Sequence, residues 1–119
     1  MVDRVMKSPE GTKLMILAPV IRAKKGEHKK VLENLAKDGY VRAVVDGETH
    51  ELDEEFNLEK QKKHSISAVI DRIIVKPEST QRATDSIETA LRMAGGLVII
   101  KNMDTGEETL MNENFACAD

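Results

Sequence analysis

The chain has 119 residues, 40% of them hydrophobic and 33% charged, with a formal net charge of −3. That length suits one domain around one core, the composition excludes a collagen, a disulfide scaffold and a transmembrane protein, and the concentration of Val, Ile and Leu in periodic segments argues against disorder. The longest apolar runs, Leu14–Ile21 and Leu97–Ile100, fall far short of the ~20 residues that span a bilayer, so no membrane partner is expected.

Charge is unevenly spread along the chain. Arg22–Lys30 holds five Lys/Arg against one Glu, whereas Val41–Glu59 holds seven Asp/Glu against one Arg. The net charge implies no general affinity for nucleic acid, but one face can still steer a charged partner. The single Cys117 has no internal disulfide partner and no signal peptide is visible. A reducing cytoplasm is the expected location.

In chain order, Val2, Val5 and Met6 have helical spacing for two turns before Pro9, and Ser8-Pro9-Glu10-Gly11 is a turn. Lys13–Arg22 is a strand, with Pro19 marking an edge or an irregular end. Glu27–Asp38 is a helix with Val31, Leu32 and Leu35 as its apolar stripe, and Gly39 ends it. Tyr40–Asp46 is a strand, Asp46-Gly47 a two-residue hairpin turn, and Glu48–Leu52 the exposed returning strand. Asp53–Lys63 is a charged loop.

His64–Val75 is dense in Ile and Val and predicts a strand that Pro77 stops. From about Thr80 to Ala94 the residues Ala83, Ile87, Ala90, Leu91 and Ala94 repeat with helical period, and Gly95-Gly96 closes the helix. Leu97–Asn102 and Glu107–Met111 are the last strands, and Asn112–Asp119 is an extended tail. The order predicts an α+β fold of the wider α/β class. Its open, mostly antiparallel sheet has four to six strands, with two main helices on one face in a ferredoxin-like split βαβ pattern.

Catalytic and ligand templates are largely missing. The sequence has neither GxxxxGK[ST] nor GxGxxG. Lys24-Lys25-Gly26 ahead of a helix suits either an anion or a solvated turn. His28, His50 and His64 lack metal-ligand spacing and are expected at the surface or flanking strands. Cys117 lies too near the end of the sequence to organise a nucleophile site. Asp53-Glu54-Glu55 sits in a polar run, and solvated carboxylates do not provide the contrasting environments that acid–base work needs. Arg42 and Arg72 stand out because each interrupts an apolar strand. Both either occupy the solvent face of a half-exposed sheet or serve a partner. Asp71 points to the opposite face from Arg72 and cannot simply neutralise it.

Six strings in this order and spacing carry a resemblance: Leu17-Ala18-Pro19, Lys24-Lys25-Gly26-Glu27-His28, Gly39-Tyr40-Val41-Arg42, Lys62-Lys63-His64-Ser65-Ile66, Val69-Ile70-Asp71-Arg72 and Asp85-Ser86-Ile87-Glu88-Thr89-Ala90-Leu91. Together they resemble the UvrB-binding domain of the UvrA family, the damage-recognition ATPases of bacterial nucleotide excision repair. The likeness runs from about Val2 to the end of the sequence. Phe115-Ala116-Cys117-Ala118-Asp119 also resembles the opening of a zinc module, Phe-Ala-Cys-x-x-Cys, that follows this domain in the family.

The resemblance implies a UvrB-binding domain over residues 1–114 and the truncated start of a zinc module over 115–119, with Cys117 an orphaned zinc ligand. It implies docking of UvrB by a non-catalytic domain, with no cofactor in this chain. ATP, zinc, DNA contact and a homodimer are implied for the longer parent. By position, Arg42 and Arg72 match arginines of the family's partner-binding surface. The basic loop, with Arg22, Lys24, Lys25, Lys29 and Lys30, matches a family loop that would contact DNA or the partner. A rival reading is a small α/β nucleic-acid-binding module using that loop, weakened by the lack of sheet aromatics for base stacking.

Overall fold

The computed structural model describes residues 5–113. Most of the expected N-terminal helix, including Val2, and the 115–119 segment with Cys117 lie outside the described residues. Six strands and two α-helices follow in the order β1 (Lys13–Lys25), α1 (Lys29–Lys37), β2 (Arg42–Val45), β3 (Glu48–Glu51), β4 (Lys63–Ile74), a short 3-10 turn at Pro77–Ser79, α2 (Thr80–Met93), β5 (Leu97–Asn102) and β6 (Glu108–Asn112). The strands are hydrogen-bonded in the order β3-β2-β4-β1-β5-β6, an open antiparallel sheet that makes the fold α+β as expected. Strand β4 lies between β1 and β2, so the β1-α1-β2 unit is split by one strand.

The residues group into two compact units, Pro19–Val69 in one and the flanking sequence, up to Ala18 and from Ile70, in the other. Strands β1 and β4 run through both.

In the unit Pro19–Val69, α1 is shorter than the expected Glu27–Asp38, because His28 takes a left-handed conformation with φ 53° and the helix starts after it. Its C-terminus closes in a Schellman motif. Gly39 sits at φ 97°, its N–H bonds to the Ala36 carbonyl, and the Tyr40 N–H bonds to the Leu35 carbonyl. Leu32 and Leu35 are the buried face. The Asp46-Gly47 turn forms as expected, with φ 51° and 87°, the paired positive values of a type I′ hairpin. It sets the register Val45↔Glu48 to Arg42↔Glu51, and β2 pairs on its other side with β4. Strand β2 starts two residues later than the sequence suggests. Ala43, Val44, Val45, Ile66 and Ala68 are buried.

In the other unit, Leu14 to Ala18 of β1 are all buried. A central strand must be apolar on both faces, which explains its unbroken run. Its ladder with β5 runs from Leu14↔Asn102 to Leu17↔Ile99. Pro19 falls inside β1 but beyond that ladder, so its missing N–H breaks no rung of it. Helix α2 buries Ala83, Ser86, Ile87 and Ala90. The Gly96 N–H bonds back to the Leu91 carbonyl and ends it. Val98 and Ile100 of β5 and Met111 of β6 are buried, while Leu110 between its neighbours is exposed, the period-two pattern of a strand.

Candidate functional site

Arg42 opens β2 and is half-buried. The tight hairpin places it opposite Glu51, yet the two side chains form no ion pair. Val41 before it is 63% exposed, and the Val41 carbonyl accepts the Leu52 N–H at 2.7 Å. Arg72 lies in β4 and is exposed. Ile74, two residues on and therefore on the same face, is 45% exposed. Asp71 takes the opposite face, as the alternation requires, and its carboxylate is occupied by Arg82 and Ser86 of α2. Among the described residues, neither the Arg42 nor the Arg72 guanidinium has a side-chain partner. Arg42 belongs to the unit Pro19–Val69 and Arg72 to the other.

The basic segment is not a single loop. Arg22, Lys24 and Lys25 stand on the end of β1, which runs three residues beyond the expected Arg22, and Lys29 and Lys30 open α1. The Ala23 N–H donates to Ser65 Oγ at 3.0 Å, which holds the strand end in place. All five cations are exposed. Lys29 reaches Glu27 at 3.8 Å, a weak exposed contact.

His64 departs from the expected surface position. It is 7% exposed. Its Nδ1 lies 2.6 Å from Asp46 Oδ2, and its Nε2 lies 2.8 Å from the Glu59 carbonyl. The Asp46 bond, then the Glu59 bond, hold its pKa above the ordinary histidine value despite burial. Burial works against the Asp46 charge, but the hydrogen bonds from His64 and the Ser65 N–H outweigh it and hold that carboxyl low. His64 and Asp46 are 18 residues apart, and their sequence contexts carried no sign that they meet. The Asp71–Arg82–Ser86 cluster was equally invisible, except that a carboxylate inside a strand needs a donor.

A groove of about 660 Å³ runs between α1 and the segment after β3. Leu32, Ala36, Leu52 and Phe56 line it with Lys29, Lys37 and Glu54. Among the described residues no three His, Cys, Asp or Glu side chains stand together as metal ligands. No helix among them is long and apolar enough to cross a membrane.

The sequence matches the UvrA interaction domain over residues 1–104. It is 57% identical over 119 residues to the UvrABC system protein A of Clostridium perfringens (strain 13 / Type A), covering 99% of this chain and 13% of that protein. To the protein of the same name from Clostridium tetani (strain Massachusetts / E88) it is 53% identical over 120 residues, covering 100% of this chain and 13% of that protein. To that of Escherichia coli (strain K12) it is 51% identical over 119 residues, covering 98% of this chain and 13% of that protein. The chain therefore spans 13% of the length of these curated relatives.

Proposed function

The chain belongs to the UvrA interaction domain family, and on that premise we propose that it is a non-catalytic docking module that binds UvrB within the UvrABC nucleotide excision repair system. The observation that carries this reading is the state of Arg42 and Arg72. Each guanidinium stands on a strand without a side-chain partner among the described residues. Ile74, two residues on from Arg72 and on the same face, is exposed. Arginine beside exposed apolar surface is a composition that protein interfaces favour.

The mechanism is charge complementarity on a stiff scaffold. A strand-borne arginine loses little backbone freedom on docking. Its planar fork can meet a partner carboxylate with two parallel hydrogen bonds, which sets orientation as well as strength. Such contacts contribute specificity and association rate more than bulk affinity. Residues Arg22, Lys24, Lys25, Lys29 and Lys30 would act only in the assembled complex, on DNA or on the partner. ATP use, a homodimer and zinc binding would belong to the longer protein, acting in the cytoplasm. The test is calorimetric titration of this chain with purified UvrB. Saturable binding is expected, and no heat or shift at any accessible concentration would end the proposal.

A further inference from the structure

Four segments of the unit Pro19–Val69 meet around one histidine. His64 of β4 bonds through Nδ1 to Asp46 in the hairpin turn and through Nε2 to the Glu59 carbonyl in the loop before β4. The His28 ring, from the turn ahead of α1, stands edge-on to it with centroids 6.3 Å apart. Next to it, Ser65 gives its N–H to Asp46 Oδ1 at 2.9 Å and accepts the Ala23 N–H, from the end of β1, on Oγ. A carbonyl only accepts hydrogen bonds, and so does an ionised carboxylate. Both ring nitrogens must therefore donate, which only the imidazolium can do.

We propose that His64 is a proton-gated clamp: its imidazolium ties the Glu59 carbonyl and the segment Lys24–His28, from the end of β1 to the turn ahead of α1, to β4, and its neutral ring releases them. When the proton leaves to water, one N–H remains. It stays on Nδ1, because a bond to a carboxylate is stronger than one to a neutral carbonyl. Nε2 then turns a lone pair toward the Glu59 oxygen, and two acceptors repel. Held by Asp46 alone, the neutral ring can turn about that one bond, so the His28 ring loses the fixed edge it packs against, and with it the segment whose Lys24 carbonyl lies 2.9 Å from His28 Nε2.

The groups facing His64 set the gate. Asp46 from the hairpin turn and Glu59 from the loop favour the charged ring, and burial opposes it. The Glu59 carboxylate is itself 3.4 Å from Lys62, which dilutes its pull. His28 would oppose the charge if it too were protonated. Below the raised pKa of His64, Lys24 and Lys25 at the end of β1 are held in one arrangement. Above it they are presented on a loosened segment, so the clamp adjusts how a basic patch meets an anionic partner. This inference concerns the chain's own conformation and stands or falls independently of UvrB docking.

The Glu59 carbonyl also accepts the Lys62 N–H at 3.2 Å, so the Lys62 amide reports directly on the gate. The experiment is an NMR titration of the chain from about pH 5 to 9, following the His64 ring and the Lys62 and His28 amides. The ring should titrate above about 6.5, and both amides should move with the same midpoint. In His64→Gln, whose side chain does not titrate, the Lys62 amide should stay at one position throughout. In Asp46→Asn the ring and amide midpoints should fall together. Amides that stay still while the ring titrates would overturn the clamp, as would a ring midpoint at or below the ordinary value. The parent titration decides even if a variant fails to fold.

Discussion

Asp71 of β4 grips Arg82 of α2 with both carboxylate oxygens, Arg82 Nε donating to Oδ2 and Nη2 to Oδ1, each at 2.7 Å. Ser86 Oγ and the Arg72 N–H, both at 2.9 Å, complete the set of donors. The helix is thereby pinned to the strand on the face away from the Arg72 side chain. Arg82 is the main reason the Asp71 carboxyl lies below its ordinary value, with help from Ser86 and the Arg72 N–H against the effect of burial.

Asp71→Asn should therefore destabilise the chain by about 1 kcal/mol in urea denaturation at neutral pH, a modest figure because solvent screens the exposed Arg82. The folded-state pKa is depressed, so this stabilisation is present above the unfolded value of 3.8 and is lost as pH falls through the folded one. The stability difference between parent and Asp71→Asn should shrink over that acid range. Equal midpoints at neutral pH would mean the cluster contributes nothing.

Arg42→Ala and Arg72→Ala should each weaken UvrB binding by about tenfold or more, since truncating one member of a buried interfacial charge pair costs ~2–5 kcal/mol. Circular dichroism and thermal melting should barely change, because these side chains hold no partner within the described residues. Lys60→Ala, an exposed position in the charged loop, is the control and should bind like the parent. Parental affinity in both arginine variants would move the docking surface elsewhere. Unfolding would instead show that the arginines serve the domain's own structure.

Asp46 combines two roles that substitution can separate. Asparagine tolerates the φ of 51° that the turn needs but carries no charge, whereas alanine loses both properties. Near pH 6 the thermal midpoints should fall in the order parent, Asp46→Asn, Asp46→Ala. The His64 pKa is raised, so its contribution is complete below about 6.5 and is lost as pH rises through the folded value. The Asp46 pKa is lowered, so its contribution is complete above 3.8 and is lost as pH falls through the folded value. The pair thus stabilises most between those limits, and Asp46→Asn should flatten that plateau. A variant profile parallel to the parent's would remove the pair from the pH dependence.

Duplex DNA should bind the isolated chain weakly, with a salt dependence no steeper than a few phosphate contacts allow. Arg22, Lys24, Lys25, Lys29 and Lys30 can neutralise only a few phosphates, and the net charge of −3 opposes approach. Fluorescence anisotropy should show little binding near physiological salt, and Lys24→Ala with Lys25→Ala should abolish what remains at low salt. Tight binding by the parent chain would favour a nucleic-acid module over a docking module.

Much of this architecture was decided by neighbours in sequence. The Asp46-Gly47 turn and the Gly39 cap arise because positive φ values are required within a few bonds, and only a few residues adopt them cheaply. The apolar run within Lys13–Arg22 marked a strand, though its burial on both faces came only with the fold, and the period of Ala83, Ile87 and Ala90 marked a helix packed on one face. Alternation along β4 placed Asp71 and Arg72 on opposite faces. Only the tertiary structure decided that β4 inserts between β1 and β2, that Arg82 and Ser86 answer Asp71, and that His64 is buried between Asp46 and Glu59. Those pairings join residues far apart in the chain, and their energy exists only once the strands align. A side chain's own sequence context carries no signal of the partner that folding brings to it.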